Sequence, residues 1–428
     1  MRVLVVGGGG REHALCWALK RDSPDATLFA TPGNPGTARL GTNLKTEVGD
    51  VAEAVKANHI DLTIVGPEAP LAAGLADALR ARGYPVFGPS AAAARIEASK
   101  AFAKDVMRGA GIATAASRTF TTLQPALDYI ARHVEPLVVK ASGLAGGKGA
   151  VVCARRNEAT RAARAMLSDG AFGDAGREIV IEDFLNGEEL SVLALTDGER
   201  LLILPAAQDH KRLGEGDTGP NTGGMGAYCP VSIAPPGLLE RVRHEVLEPA
   251  IRELAARGAP FQGVLYAGLM LGADGTLSVL EFNCRFGDPE TQALLPALPG
   301  VMHHVPEIAA GGWRPTQTTL SATRAAVAVV LAAPGYPEKP QLGATIVIPR
   351  DLEPGTLVFH AGTTLDAQGA LHVHGGRVLT VTGVGETVAE AARRSSDACE
   401  LITFPGKTYR RDIGWREIKE ARAGAARG

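Results

Sequence analysis

Four short apolar segments in the first 90 residues each run straight into a loop rich in glycine or proline: V-L-V-V (3–6), A-T-L-F-A (26–30), L-T-I-V (62–65) and P-V-F (85–87). Short runs of this kind, with little polar alternation, suit strands buried on both faces. Between them, stretches such as E-H-A-L-C-W-A-L-K put Ala14, Leu15, Ala18 and Leu19 on one helical face. Strand, loop and helix in repeated order predict a parallel sheet with helical crossovers. The loops G-G-G-G, T-P-G-N-P-G, G-P-E-A-P and G-P-S then fall beyond the carboxyl ends of the strands, where open parallel sheets bind ligands.

The first of these loops, in V-V-G-G-G-G-R-E-H-A, opens a helix, and a helix N-terminus attracts phosphate through its free amides and its dipole. It is not a dinucleotide fingerprint. Gly7 and Gly9 fit G-x-G-x-x-G, but Glu12 stands at the third position, and the second strand ends in Ala30-Thr31-Pro32 without the ribose-binding acid.

A second glycine loop lies in K-A-S-G-L-A-G-G-K-G-A-V-V-C (140–153). Counted back from Gly147-Lys148, the first Walker glycine would be Ser142, and Gly149 replaces the hydroxyl residue after the lysine. The loop leads into A-V-V-C, a strand-forming run rather than a helix. It therefore joins two strands, L-V-V-K before and A-V-V-C after. Lys140 and Lys148 flank mobile glycines, including Gly146 and Gly147, as a lid over phosphates would require. Lys100 is a third candidate cation, although a lone lysine is commonly a solvated one.

Bulk composition excludes several classes of function. The chain has 428 residues, enough for two to four domains, and a formal net charge of −2 gives no general attraction for nucleic acid. Five cysteines (16, 153, 229, 284 and 399) are widely spaced, odd in number and form no C-x-x-C pair, which argues for a reducing cytoplasm. M-R-V-L-V-V-G is too short for a signal-peptide core, and the longest apolar run, 325–333, is too short to span a bilayer. A cytoplasmic protein with no membrane or nucleic-acid partner is expected, and a monomer.

Further on, I-E-A-S-K-A-F-A-K-D-V-M (96–107) reads as one connecting helix. A small α/β unit follows, with strands near 137–140, 150–154 and 178–182. In I-V-I-E-D-F-L-N-G-E-E, a solvated turn competes with an adenosine site: the strand end Glu182, Asp183, Phe184, Leu185 offers backbone groups to adenine, and Glu189 an acceptor for ribose. In V-L-E-F-N-C-R-F-G-D-P-E, Glu281 and Asn283 alternate about Phe282 and point to one side. A carboxylate with a carboxamide suits a hard cation such as Mg²⁺, completed by phosphates and water. Arg285 offers a planar fork for phosphate or carboxylate. The segment Q-D-H-K-R-L-G-E-G-D-T-G-P-N-T-G-G-M-G-A-Y (208–228) has almost no apolar content, and a polar loop of that length inside a compact region is expected to line a site. His210, His303-His304 and the H-V-H of 372–374 read as structural. The last hundred residues predict strands A-A-V-A-V-V-L, A-T-I-V-I, L-V-F-H-A and G-G-R-V-L-T-V-T, then a helix from Thr387.

These motifs together resemble the ATP-grasp superfamily and, within it, the phosphoribosylamine–glycine ligases (glycinamide ribonucleotide synthetases), over essentially the whole chain. G-G-R-E-H-A (9–14), P-G-N (32–34), T-I-V-G-P-E-A-P-L (63–71), Q-D-H-K-R (208–212), G-P-N-T-G-G-M-G-A-Y (219–228), L-Y-A-G-L-M (265–270), E-F-N-C-R-F-G-D-P-E-T-Q (281–292) and R-R-D-I-G-W (410–415) carry the likeness. The resemblance implies an α/β ATP-grasp fold with four parts: a parallel-sheet substrate domain (1–103), a central domain (104–119 and 191–324), a lid (120–190) and a C-terminal α+β domain (325–428). It implies ligation of glycine to 5-phosphoribosylamine with ATP and Mg²⁺ or Mn²⁺, through a phosphorylated glycine carboxylate. Lys100, Lys140 and Lys148 would contact phosphates, Gly146 and Gly147 would cover them, Glu182 to Leu185 would hold adenine, Glu189 the ribose, and Glu281 with Asn283 the metal. Gly9, Gly10, Glu12, Asn34, Pro67, Glu68, Asp209, Lys211, Asn221, Arg285 and Asp288 would serve the substrates, Arg285 also in catalysis. Asp183 stands where relatives often have glutamate, with little consequence for a backbone contact. A carboxylase resembling biotin carboxylase and a non-catalytic nucleotide sensor are the alternatives. The D-H-K-R and G-D-P-E-T motifs weigh against the first, and the intact lysines and metal ligands against the second.

Overall fold

Strand Arg2–Gly7 lies at the centre of the expected parallel sheet, between Thr27–Pro32 and Leu62–Val65, with Thr42–Asn43 and Val86–Phe87 at the edges. The computed structural model describes residues 1–425; residues 426–428, which end the expected C-terminal domain, lie outside the described residues. Val3, Leu4, Val5 and Val6 are buried on both faces of the sheet, and helix Gly10–Asp22 packs Ala14, Leu15, Ala18 and Leu19 inward. Each such valine or leucine contributes about 1.5–3 kcal/mol.

The expected helix over 96–107 is two helices, Ala91–Ala98 and Lys100–Gly109. Ser99 is extended (φ −140°, ψ 110°) and its hydroxyl accepts from the Phe102 amide as the N-cap of the second helix. That break docks the new helix start on the second glycine loop, where Lys100 N donates to the Ser142 carbonyl (2.8 Å) and Ala101 N to Ser142 Oγ (3.1 Å).

The lid is a four-stranded antiparallel sheet ordered Ser117–Phe120, Ile179–Asp183, Leu137–Ala141, Ala150–Cys153. Helices Leu123–Arg132 and Arg156–Leu167 complete its own small core around Ile130, Leu137, Met166 and Ile181. Its first strand, S-R-T-F, escaped the sequence reading because only Phe120 is buried. A second antiparallel sheet runs Leu201–Ile203, Glu188–Thr196, Gly263–Leu271, Leu277–Asn283.

The third large sheet joins Gln208–Asp209 and Gly226–Cys229 to Ala325–Ala332, Arg377–Gly385 and Thr356–His360. Two strands of the segment expected in the central domain thus hydrogen-bond into the C-terminal sheet. The expected strand A-T-I-V-I is not a strand: Thr345 and Val347 make isolated bridges to His372 and Thr403. No described helix is long and apolar enough to cross a membrane.

The first and last parts of the chain interlock through His13. Its Nδ1 accepts from the His360 amide (2.8 Å), and its ring meets Phe359 edge-on with centroids 5.5 Å apart. Burial, with help from His360 and Arg39, lowers His13 to about 3, and burial with Arg39 lowers His360 to about 4. Both folded values lie below the unfolded 6.5, so the associated stability is full above pH 6.5 and is lost as pH falls toward 3–4. Denaturant titrations from pH 7 to 4 should show a decline approaching about 1.4 kcal/mol per pH unit for each histidine. His13→Gln should have a shallower slope.

Candidate active site

The lid and the second sheet meet at Lys140, whose Nζ donates to the Leu280 carbonyl (3.1 Å). Lys140 ends its apolar strand as the sequence predicts, and it also forms an ion pair with Glu182. The other oxygen of Glu182 meets Lys104 at 2.7 Å, so this carboxylate is buried between two lysines. The expected adenine contact at residue 182 is therefore limited to backbone, and that of Asp183 is narrowed too, because its amide donates to the Ala116 carbonyl (3.0 Å). Phe184, the residue after the strand, keeps 40% of its surface exposed. Leu185 follows it outside the strand.

Lys100 Nζ lies 3.4 Å from the Gly143 carbonyl, at the foot of the glycine loop. Burial, against the pull of Glu281 and aided by Lys140, lowers its pKa. Gly146 and Gly147 are left-handed (φ +58° and +77°), a conformation that favours glycine. Lys148 turns away from the other lysines and donates to the Pro337 carbonyl (2.7 Å). A Cβ on Gly147 would sit 3.4 Å from Gly223 Cα, so the loop rests against segment 219–228. If this loop closes over nucleotide, hydrogen exchange across 142–149 should slow several-fold or more on adding Mg²⁺-ATP. Equal, strong protection in both states would make it a fixed turn.

Opposite the loop, Glu281 and Asn283 pair with Gly268 and Tyr266 in register and share one face of their strand. A bulge at Gly268/Leu269 takes Leu280 out of the pairing just before Glu281. Lys211 Nζ bridges Glu189 (2.8 Å) and Glu281 (3.9 Å). Burial opposes ionisation of Glu281, but Lys211, Lys140 and Lys100 outweigh it and hold the carboxyl below its usual range. Burial of Lys211 is likewise outweighed by Glu189, Asp209 and Glu281, which raise it well above its usual value. Asp209 is pushed up to about 8 by burial and by Glu290, Glu189 and Glu281, against Lys211. A surplus of carboxylates of this kind is what a divalent cation would relieve, and the oxygen donors suit Mg²⁺. Among the described residues no three acidic, histidine or cysteine side chains converge on one point. A cation held by Glu281 and Asn283 would need its remaining ligands from phosphate and water.

Arg285 is not the free fork the sequence suggested. Its Nη2 donates to Glu97 (2.7 Å) and its Nε to Glu68 (3.2 Å). These two carboxylates outweigh the cost of burying Arg285 and raise its pKa further. Arg285 and Glu68 therefore stand as a pair that joins the first domain to the end of the strand Leu277–Asn283.

The substrate crevice of the first domain is also built differently from expectation. Glu12 accepts from the Gly9 amide (2.7 Å) and from Arg11 Nε (2.6 Å), and it is almost wholly buried. A Cβ on Gly9 would lie 2.8 Å from the Glu12 carboxylate, and one on Gly7 or Gly66 would overlap the same side chain. The glycine cradle is filled by Glu12 itself. The Gly9 amide is thus not free for phosphate, nor is the Glu12 carboxylate free for sugar or amine. Gly10 packs against the helix Glu290–Ala297, where a Cβ would come 2.8 Å from Gln292 Nε2. Gly10→Val would test that packing rather than a phosphate site.

Gly8, Gly9, Pro32, Gly33 and Asn34 nevertheless line one wall of a cavity of about 690 Å³. Its other wall comes from Asp288 and from the C-terminal Ala361–Leu365, His374 and Arg377. The Asn34 side chain is committed to the fold, donating to the His360 carbonyl (2.8 Å) and accepting from the Gly36 amide (2.8 Å). Pro67 and Glu68 do not line the cavity. The strand that precedes them, Leu62–Val65, lies on the other side of Arg2–Gly7 from Thr27–Pro32, and Glu12 stands between. Asp288 accepts from Arg377 (3.0 Å) and Gln292 (2.7 Å); burial opposes its ionisation, but Arg377 and Arg11 prevail and lower its pKa. Asn221 pairs with Arg212 in a two-stranded ribbon at the edge of the site.

Sequence reasoning missed Lys104, Glu97, Arg377 and His374. Lys104 had a signal, one helical turn after Lys100 on the same helix. Arg377 follows two glycines at the start of a strand, a weak one. His374 was read as structural but reaches the cavity. His210, read as structural, is buried, and its Nε2 accepts from the Gly414 amide (3.2 Å).

Two antiparallel sheets that meet at a strand-end lysine, beneath a glycine loop and beside a carboxylate–carboxamide strand, define an ATP-grasp enzyme carrying an extra parallel-sheet domain. The sequence matches the models of phosphoribosylglycinamide synthetase over its N domain (residues 1–97), its ATP-grasp (A) domain (98–291) and its C domain (326–416). The chain belongs to the phosphoribosylglycinamide synthetase family. It is 45% identical to a phosphoribosylamine–glycine ligase of Vibrio parahaemolyticus, covering 98% of this chain and 99% of that one. The crystal structure of phosphoribosylamine–glycine ligase from Thermotoga maritima superposes with a TM-score of 0.85 at 36% identity, over 96% of this chain and 100% of that one. A biotin carboxylase from Campylobacter jejuni shares the fold alone, with a TM-score of 0.72 at 14% identity over 95% of this chain and 92% of that one.

Proposed function

We propose that this chain ligates glycine to 5-phospho-D-ribosylamine, with ATP going to ADP and phosphate, to give glycinamide ribonucleotide in purine biosynthesis. Full-length similarity to phosphoribosylamine–glycine ligases carries the reading. ATP lies between the lid and the Glu281 strand. Lys140 and Lys100 face its phosphates, the loop 142–149 covers them, residues 182–185 hold adenine through backbone, and Glu189 holds the ribose. Mg²⁺, or Mn²⁺ in its place, held by Glu281 and Asn283, would offset phosphate charge. Lysine charges aimed at the transferring group favour its passage to the glycine carboxylate, giving a glycyl phosphate. Phosphoribosylamine occupies the 690 Å³ cavity, where Arg377 and Asp288 supply paired polar groups. Asp209, Lys211 and Asn221 lie on the segment between the two compartments and orient glycine and amine, with Arg285 held beside them by Glu68 and Glu97.

In this reading a monomer suffices, because all four parts of one chain build both compartments. Five buried free cysteines suit a reducing cytoplasm. The test is ADP release with ATP, glycine and freshly made phosphoribosylamine, each omitted in turn. Full turnover is expected only with all three. ADP release that depends on bicarbonate and ignores glycine would contradict the reading.

A further inference from the structure

The polar segment 208–228 reaches both compartments. Lys211 meets Glu189 on the nucleotide side, and its carbonyl is held by the Thr222 amide (2.8 Å) and hydroxyl (2.9 Å). At the cavity side, the Gly223 carbonyl accepts from Arg377 Nη1 (2.5 Å). A Cβ on Gly224 would come 2.5 Å from Pro289 Cδ. The segment thus forms a wall from Lys211, beside Glu189, to Gly223 and Gly224, which pack on Arg377 and on Asp288–Pro289 at the border of the cavity.

Its outer edge is fastened by the tail motif R-R-D-I-G-W. Arg410 has no exposed surface. Its Nη1 donates to Asp217 Oδ1 (2.8 Å) and to the Arg212 carbonyl (3.2 Å), while Nε and Nη2 each meet Asp412 at 2.7 Å. Asp412 also accepts from the Gly216 amide (2.8 Å), and Gly414 N donates to His210 Nε2 (3.2 Å). Arg416 adds a second cation on Asp217, at 2.5 Å. The tail thus binds the wall at five of its residues, Arg212, Asp217, Gly216, His210 and, through the Arg411 amide, Glu215.

Stability alone is a poor reason for burying an arginine this way. Desolvation commonly cancels the attraction, and apolar packing does as well or better. What several fixed charge-assisted bonds supply is geometry.

We propose that Arg410 is a positioning residue that, by fastening segment 208–228, keeps water from the activated glycine carboxyl until the amine attacks. This rests on the ligation reading above. In the coupled step the amine nitrogen bonds to the glycyl carbonyl carbon, the carbon–oxygen bond to phosphate breaks, and phosphate leaves with that electron pair as the amine sheds a proton to solvent. In the uncoupled step a water oxygen bonds to the same carbon, phosphate leaves in the same way, and glycine is regenerated. The net change is then hydrolysis of ATP to ADP and phosphate.

The experiment measures ADP released against glycinamide ribonucleotide formed, using the full chain with Arg410→Met and Arg410→Lys. The parent should give a ratio of about one, Arg410→Met about three or more, and Arg410→Lys a value between, as water gains access. A merely structural role would lower the melting temperature and the amount of active enzyme without moving that ratio. A ratio that stays near one in folded Arg410→Met overturns the proposal. Should that variant not fold, Arg416→Met removes one link to Asp217 and should still raise the ratio; a ratio near one there and in Arg410→Lys overturns it equally. Failure of the parent to release ADP in response to glycine would instead overturn the ligation reading, and this proposal with it.

Discussion

Replacing Glu281 by glutamine should lower kcat by about 10²–10³-fold or more while leaving the fold intact. The carboxylate is one of two oxygen donors on its strand face, and three lysines keep it ionised. Glutamine preserves size and the strand register with Gly268, so the change removes charge and little else. Turnover should be restored only weakly by excess Mg²⁺, because the lost ligand is part of the protein. Circular dichroism and melting should match the parent. Near-normal turnover at ordinary Mg²⁺ would remove Glu281 from the metal site.

Glu182→Gln should act on stability instead. Glu182 is buried between Lys104 (2.7 Å) and Lys140, and burial already lowers Lys104, with Glu182 holding it up. Removing the shared anion leaves two cations facing each other where the lid meets the helix Lys100–Gly109, a change worth about 3–5 kcal/mol when a buried pair is broken. The loss should appear in the unfolding of the lid by hydrogen exchange and in weaker ATP binding, since Lys140 would lose its position. An unchanged unfolding profile would mean that the lysines find other partners.

Local patterns made part of this molecule legible. The first sheet could be read because each strand is a continuous buried run with its loop beside it in sequence, and the shared face of Glu281 and Asn283 because E-F-N alternates within three residues. Lys140 stood out at the end of L-V-V-K. Partners far apart in the chain were hidden. Nothing near Glu182 announces Lys104, and nothing near Arg285 announces Glu68. The break at Ser99 is made by docking on Ser142, which the helical pattern of 96–107 does not register. G-G-G-G before a helix suggests a phosphate cradle, and only the fold shows that Glu12 fills it. Likewise the cavity takes much of its wall from residues 361–377, in which the sequence reading found no ligand-binding motif.

Transfer of oxygen from glycine tests the central claim most directly. With glycine carrying oxygen-18 in its carboxylate, attack of that carboxylate on the terminal phosphoryl group of ATP places a labelled bridging oxygen in glycyl phosphate. Breakage of the carbon–oxygen bond by phosphoribosylamine then sends that oxygen out with the phosphate. One labelled oxygen is expected in each inorganic phosphate formed alongside glycinamide ribonucleotide, read by mass or by phosphorus resonance shift. Unlabelled phosphate formed alongside glycinamide ribonucleotide, with the lost labelled oxygen found in water, would contradict it.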